Sequence, residues 1–228
     1  MSPRLAGVVF VLFAGTAFTD VVGLAGDAIA DSSLHAWLLV GFSALKAAVI
    51  AAFAYFVVVR PTAKRPARDP VAFAACAAAL LGAVALRGPH GESGTPMLLV
   101  GEAMAVVSCA WVLASVLALG RCFGILPEAR GLVTRGPYRL VRHPVYLGEL
   151  GAFAGLVIAA PTKWNVATAL VILGAQLVRM RLEERALERE FPQYAAYAAR
   201  IPRLLPRPPW PRVAGRRPTT PLQSDGAA

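Results

Sequence analysis

The chain has 228 residues, of which 57% are hydrophobic and only 16% are charged, and its formal net charge is +10. Its mean hydropathy of +0.59 lies outside the usual range of soluble domains, so the composition excludes a soluble globular protein and indicates an integral membrane protein. We attribute the positive charge to membrane topology and to attraction for anionic membrane lipids, and predict no nucleic acid partner.

Apolar runs approach membrane-crossing length at six places, given that about 20 residues are needed to cross about 30 Å of hydrocarbon. The last two runs are the shortest, and only Pro161-Thr162-Lys163 separates them, which predicts a tight antiparallel helical hairpin and leaves five or six spans. The sequence therefore predicts an all-α integral membrane protein with about six transmembrane helices. The six runs are Leu5–Val22, Leu34–Val59, Val71–Leu86, Met97–Leu119, Val145–Ala160 and Trp164–Met180.

The first run has a second interpretation. Arg4 precedes its apolar core and small residues follow near Ala25–Ala28, an arrangement that loosely resembles a secretory signal. The run is longer than the usual signal core of about 7–15 residues, which favours a retained span, but cleavage stays open.

Basic residues in the connecting segments predict the orientation. The connection between the first two spans is acidic, whereas residues 60–69 and 121–144 and the chain beyond Arg179 are rich in arginine. Short basic loops stay in the cytoplasm. We therefore expect a protein of the bacterial plasma membrane with both termini and the 121–144 segment on the cytoplasmic side.

Few reactive side chains lie within the first four spans. Lys46 and Glu102 are ionisable groups at membrane depth, which makes them functional candidates, although snorkelling or pairing within the bundle would also explain them. Cys76, Cys109 and Cys122 form no C-x-x-C pair, so neither a disulfide framework nor a metal site is predicted.

Small residues recur on the fifth span. Gly148, Gly151 and Gly155 are spaced so that another helix could approach this span closely. Such a motif is consistent with a close-fitting site on this span, and helix packing without functional meaning also explains it.

Polar residues are concentrated in the second half of the chain, which divides it into three parts. Residues 1–119 form an N-terminal four-helix transmembrane region, 120–206 a polar C-terminal region, and 207–228 a Pro/Arg-rich tail that we expect to be disordered. Within the second part, polar clusters flank the predicted hairpin, at Arg121–Glu149 and from Arg179 onward. A hairpin returns its ends to one side of the membrane, so the two clusters should meet at the cytoplasmic mouth.

The two clusters differ in charge. Pro144 is suited to the first turn of a helix, which would place His143 at a helix N-terminus that favours anions, with Tyr146 on the same face. Across the hairpin, Glu183 and Glu184 could hold a cation. The combination suits a zwitterionic ligand.

These residues also resemble a known family. Gly-Pro-Tyr-Arg at 136–139, Arg-His-Pro-Val-Tyr at 142–146 and the Glu183-Glu184 pair with downstream aromatics are similar to the isoprenylcysteine carboxyl methyltransferases. That family consists of integral-membrane S-adenosylmethionine-dependent enzymes related to phospholipid N-methyltransferases. The resemblance covers about residues 120–206 and implies a cytoplasmic S-adenosyl-L-methionine site. It assigns cofactor binding to His143, Tyr146, Leu147, Glu183, Arg142 and Tyr138, and catalysis to Arg179 and Glu184.

The methyl acceptor is not predicted beyond a lipophilic or small membrane-accessible carboxylate, amine or thiol. Arg179 could orient a carboxylate, whereas Glu184 could accept a proton from an amine or thiol. Two other functions stay open. An NADPH-dependent membrane sterol or enone reductase would share the Arg-His-Pro-x-Tyr string, and a non-enzymatic component could use the basic mouth to bind lipid headgroups.

Overall fold

The computed structural model describes residues 3–61, 69–88 and 95–206. These residues form α-helices and two short 3-10 helices, at Gly120–Cys122 and Gly136–Arg139, and contain no strand. The all-α prediction is therefore confirmed for the described part of the chain. The α-helices are α1 Pro3–Asp31, α2 Leu34–Val59, α3 Pro70–Ala85, α4 Pro96–Leu119, α5 Pro144–Ala159, α6 Lys163–Glu190 and α7 Tyr194–Arg200.

Three described helices are long and apolar enough to cross a membrane: Leu34–Val59, Pro96–Cys122 and Lys163–Glu190. The apolar helices α3 and α5 have 16 residues each, fewer than a full crossing usually needs. Large apolar side chains remain exposed on the outer helix faces, as expected for a protein in contact with lipid. The total of six spans stays a prediction, and the predicted disordered tail, 207–228, lies outside the described residues.

Short polar side chains set where several helices begin. In each case an oxygen of the residue before the helix accepts a hydrogen bond from a backbone N–H of the first turn, which would otherwise lack a partner in the helix. Proline at the first helical position of α3, α4 and α5 supports the same starts, because its fixed φ suits the helix and it has no N–H to satisfy. The capping residues are Ser33 for α2, Asp69 for α3, Thr95 for α4 and Thr162 for α6.

The two arms of the predicted hairpin, α5 and α6, pack mainly against other helices. α5 lies chiefly on α4, and α6 chiefly on α3. The glycine face of α5 allows this contact: a Cβ on Gly155 would lie 2.5 Å from the Gly101 carbonyl oxygen, and one on Gly101 would lie 2.5 Å from the Gly155 carbonyl oxygen. The helix that the small residues admit is therefore α4, and backbone approaches backbone along this contact.

The far end of α6 is joined to α3 by hydrogen bonds. The side chain of Asn165, fully buried, accepts from the Arg87 backbone N–H at 3.0 Å and donates to the Arg87 carbonyl at 2.9 Å. Trp164 Nε1 donates to the Ala85 carbonyl at 2.8 Å. These bonds satisfy backbone N–H and carbonyl groups at the end of α3 that have no partner within the helix. They also hold the end of α3 beside the start of α6.

Replacing Gly155 with Ala should destabilise the protein. The added Cβ would meet backbone atoms of Gly101 and Ala105 at 2.5 and 2.8 Å, and backbone cannot rotate away as a side chain can. We expect a loss of about 1–3 kcal/mol, the usual cost of overpacking, seen as a lower Tm of the detergent-purified protein. Gly174→Ala on α6 is the matched control, because a Cβ there meets nothing within 4 Å; an unchanged Tm for Gly155→Ala would contradict the close α4–α5 contact.

Candidate active site

The polar segment before α5 forms a compact turn, which we call the elbow, residues 136–143. It begins at Gly136, whose φ of +59° lies in the left-handed region that glycine adopts without strain. It ends at His143, the residue before the first helical position of α5, as predicted from Pro144. Trp111 Nε1 on α4 donates to the Pro144 carbonyl at 2.9 Å, so the start of α5 is fixed to α4.

The elbow is held from the C-terminal side by α7 and the segment after it, which together form the strap, residues 194–206. Arg142 N–H donates to the Pro202 carbonyl at 2.8 Å and His143 N–H donates to the Arg203 carbonyl at 3.1 Å. The Tyr197 hydroxyl donates to the Tyr138 carbonyl at 2.7 Å. Burial raises the pKa of Tyr197 to about 12, so this hydroxyl keeps its proton for donation at neutral pH.

Glu184 of α6 is the centre of a buried charge network that joins the elbow, α6 and the strap. Its side chain is buried, with Oε1 3.0 Å from His143 Nε2 and 3.4 Å from an Arg142 terminal nitrogen. Arg203 of the strap donates to both carboxylate oxygens, from Nε at 3.1 Å and from a terminal nitrogen. The carboxylate thus compensates two arginines and fixes the plane of the His143 ring.

Glu183, the neighbouring carboxylate, is directed to the other side of His143. The Tyr146 hydroxyl donates to Glu183 Oε2 at 3.1 Å, and His143 Nδ1 lies 4.0 Å from the same oxygen. The His143 and Tyr146 rings pack with their centroids 5.5 Å apart. The structure therefore brings His143 and Tyr146, at the start of α5, together with Glu183, near the end of α6.

Arg179 lies one turn before Glu183 on α6 and is held by three groups. One terminal nitrogen donates to Gln176 Oε1 at 2.8 Å and the other donates to the Ile125 carbonyl at 3.0 Å. Its guanidinium carbon is 5.1 Å from the centroid of the Tyr146 ring, a cation–π arrangement. These contacts orient a charged group that would be costly to bury without partners.

A cavity of about 510 Å³ opens between these helices. Its polar end carries six of the eight predicted site residues, whereas Leu147 and Glu184 do not line it. The rest of the wall is mostly apolar and comes from α2, α3 and the segment after α4, including Phe53, Phe73, Leu80 and Phe123. The six predicted residues in the wall are Tyr138, Arg142, His143, Tyr146, Arg179 and Glu183.

Sequence reasoning missed three polar or reactive residues in the cavity wall: Glu149, Gln176 and Cys76. Helical spacing could have found the first two, because Glu149 follows Tyr146 by three positions and Gln176 precedes Arg179 by three, which places each pair on one helix face. Gln176 Nε2 donates to Glu149 Oε2, and Cys76 Sγ donates to the Ile125 carbonyl at 3.3 Å. The contribution of α3 had no local signal, since it depends on how α3 packs on α6.

Lys46 and Glu102, the ionisable residues of the first four spans, do not line the cavity. Glu102 is buried on α4, and its carboxylate lies 2.9 Å from His35 Nδ1 at the start of α2. Lys46 is half-buried on α2. The pairing of Glu102 with His35 fits the structural interpretation, in which the pair joins α2 to α4.

Comparisons with known proteins match part of this chain. Residues 93–194 match the family model for phospholipid methyltransferases. The cobalt-zinc-cadmium resistance protein CzcN of Cupriavidus metallidurans is 42% identical over 79 residues, which is 33% of this chain and 36% of that protein. The nickel-cobalt-cadmium resistance protein NccN of Alcaligenes xylosoxydans xylosoxydans is 37% identical over 79 residues, with the same coverage of 33% and 36%.

The aligned segment thus spans about a third of each of these relatives. The family match, by contrast, runs from just before α4 through α5 and α6 to Tyr194, and it contains the elbow and the facing residues of α6. The resemblance seen in the motifs is confirmed: residues 93–194 match the model of the phospholipid methyltransferase family, which is shared with the isoprenylcysteine carboxyl methyltransferases.

Proposed function

We propose that this membrane protein is an S-adenosyl-L-methionine-dependent methyltransferase that acts on a lipophilic or small membrane-accessible acceptor. The observation that carries the proposal is the cavity that joins two polar clusters from opposite sides of the hairpin. Basic groups of the elbow and an acidic group of α6 face one another at its polar end, and an apolar wall continues from there. The match of residues 93–194 to a methyltransferase family model supports the same reaction class.

The residues of the cavity fit this cofactor. The volume of about 510 Å³ is within the range of about 300–1,000 Å³ usual for pockets that enclose small ligands. Arg142, His143 and Glu183 line the cavity wall, so basic and acidic groups are both present for the carboxylate and the ammonium of the cofactor.

Opposite charges at the polar end suggest how the cofactor would be held. Its carboxylate would bind near Arg142 and His143 at the start of α5, where basic charge and the helix N-terminus favour an anion. Its ammonium group would bind Glu183, and Tyr138 and Tyr146 would line the remaining surface. Leu147 and Glu184 do not line the cavity, and Glu184 would support its wall by holding the His143 ring in place.

When bound, the cofactor supplies an electrophilic methyl group attached to a sulfonium. The chain's own contribution is to align an acceptor with that group and to exclude water, since positioning alone can supply effective molarities of about 10⁵ M or more. Arg179 is suited to orientation because Gln176, the Ile125 carbonyl and the Tyr146 ring fix its guanidinium at the wall of the cavity. We therefore propose Arg179 as a catalytic residue.

The apolar wall suggests a path for the acceptor. Phe73 and Leu80 of α3 line the cavity and are 49% and 68% exposed. Residues that border a cavity and face outward define an opening between helices, and in a membrane this opening would meet lipid chains. A lipophilic acceptor entering there would approach the polar end from the hydrocarbon side.

The basic segments favour a cytoplasmic site in a bacterial plasma membrane, with both termini on that side. A green fluorescent protein fused at the C-terminus should then fluoresce, and alkaline phosphatase fused at the same point should be inactive. The opposite pair of results would reverse the proposed orientation.

Purified protein should bind S-adenosylhomocysteine, the product form of the cofactor, in isothermal titration. Glu183→Gln should weaken binding by about tenfold or more, because hydrogen bonds to charged groups contribute about 1.5–3 kcal/mol. Glu188→Gln, the same change at an exposed position of α6, is the control and should bind as the wild type does. Binding of NADPH instead would support the reductase alternative, and binding of anionic lipid alone would support the non-enzymatic one.

Glu184→Gln should lower thermal stability as well as S-adenosylhomocysteine affinity. In the wild type, Arg142 and Arg203 share the negative charge of the Glu184 carboxylate. A neutral amide cannot compensate their positive charge, and it would hold the His143 ring less firmly. We expect a loss of about 1–3 kcal/mol, the cost of leaving a buried polar group poorly paired, measured as a lower Tm. A normal Tm and normal affinity combined with lost methyl transfer would instead return Glu184 to the catalytic role that its sequence position suggests.

A further inference from the structure

Two large apolar side chains are exposed outside the α-helices of the described residues, and both belong to the segments that enclose the candidate site. Leu140 lies in the elbow and is 53% exposed, and Leu205 lies in the strap and is 70% exposed. The other exposed large apolar side chains lie on α-helices, where lipid can cover them. Neither leucine lines the cavity or takes part in the Glu184 network. Their exposure is therefore not explained by the site itself.

Hydrogen bonds on both sides of Leu140 join the two segments that carry these leucines. The Tyr197 hydroxyl donates to the Tyr138 carbonyl, two residues before Leu140. The Arg142 N–H donates to the Pro202 carbonyl, three residues before the exposed leucine of the strap. The elbow and the strap therefore form one continuous piece of surface.

This surface is positively charged. The elbow and the strap contain four arginines and no acidic residue. Two of these arginines share the Glu184 carboxylate. The other two, Arg139 and Arg200, are exposed, and Arg139 directly precedes Leu140. Exposed leucine together with exposed arginine is typical of segments that lie in the interface of a membrane containing anionic lipid.

The length of α5 favours a position of the elbow at the boundary of the hydrocarbon layer. α5 begins at Pro144, four residues after Leu140, and has 16 residues. At roughly 1.5 Å per residue it covers about 24 Å, less than the hydrocarbon thickness of about 30 Å. A short span is accommodated by local thinning of the bilayer and by flanking residues that reach the interface. The elbow is such a flanking segment, so Leu140 would reach the acyl chains and Arg139 the headgroups.

We propose that the elbow and the strap form a binding surface for anionic phospholipid of the adjacent membrane leaflet. Leu140 and Leu205 enter the boundary between headgroups and acyl chains, and Arg139 and Arg200 bind lipid phosphates. Arginine suits this role because its planar guanidinium forms paired hydrogen bonds with phosphate oxygens. Lipid that contacts both segments would also hold the strap against the elbow. The surface lies outside the cavity, and the inference does not depend on the proposed reaction.

Insertion of the two leucines is tested with Leu140→Trp and Leu205→Trp, each made separately in the full-length protein. The variants are placed in nanodiscs of phosphatidylcholine that is brominated near the start of its acyl chains, because bromine quenches nearby indole fluorescence. The wild type in the same nanodiscs gives the signal of the four native tryptophans, which is subtracted. The added fluorescence should be largely lost at both positions. Glu188→Trp, at an exposed position in the last turn of α6, is the control and should keep its fluorescence.

The preference for anionic lipid is tested in the Leu205→Trp protein. Equal fractions of brominated phosphatidylglycerol or brominated phosphatidylcholine are added to unbrominated phosphatidylcholine nanodiscs. The anionic lipid should quench with an apparent affinity about fivefold or more higher, as expected for basic residues at an anionic surface. Arg139→Gln combined with Arg200→Gln should remove most of this preference. Arg87→Gln, an equal loss of charge at the opposite end of the bundle, should leave it unchanged.

Unquenched fluorescence at either leucine position would overturn the proposal by showing that this surface faces water, as a docking surface for a soluble protein would. Equal quenching by the two brominated lipids would also overturn it, as would an unchanged preference after loss of both arginines. Every changed position is exposed, and the Tm of each variant is compared with that of the wild type to verify folding.

S-adenosylhomocysteine binding, measured in the same nanodiscs, separates this inference from the proposed function. If S-adenosylhomocysteine binds but the two leucine positions stay unquenched, the inference fails and the proposed function stands. If the surface selects anionic lipid but S-adenosylhomocysteine does not bind, the proposed function fails and the lipid surface stands.

Discussion

The buried carboxylate of Glu184 is the interaction on which the geometry of the candidate site depends. It lies between the elbow, α6 and the strap, which are distant in sequence, and it contacts a basic or proton-donating group from both the elbow and the strap. Without this carboxylate, Arg142 and the partly exposed Arg203 would lose their compensating charge. The network therefore favours one arrangement of these three segments, and the backbone hydrogen bonds from Arg142 and His143 to the strap add to it.

The two adjacent glutamates of α6 consequently have different surroundings. Glu184 faces the inside of the protein and holds the wall together, whereas Glu183 faces the cavity beside Tyr146. Successive residues on a helix point in directions about 100° apart, which is why one pair of identical side chains can serve both purposes. The glycine contact between α4 and α5 has a separate role. It sets how closely α5, which follows His143 and carries Tyr146 and Glu149, approaches α4.

Much of this arrangement could be predicted from the sequence. Apolar run lengths gave the helices, and the short Pro161-Thr162-Lys163 connection brought the clusters containing His143 and Arg179 to one end. Local sequence patterns did not predict which helices pack together. The packing of α5 on α4 and of α6 on α3 depends on the fit between helix faces that are distant in sequence. For the same reason α3 was not expected in the cavity wall. Glu149 was overlooked because a single carboxylate next to a recognised motif has no pattern of its own.

We propose that methyl transfer from S-adenosylmethionine takes place in the cavity between α3, α5 and α6. The most direct measurement is formation of S-adenosylhomocysteine and of methyl-labelled product by the purified protein in nanodiscs made from a bacterial membrane lipid extract. We expect equimolar formation of the two, with the label in the lipid-extractable fraction and with loss of both in Arg179→Ala. Absence of S-adenosylhomocysteine formation by a folded wild-type protein, or an equal rate in Arg179→Ala, would contradict it.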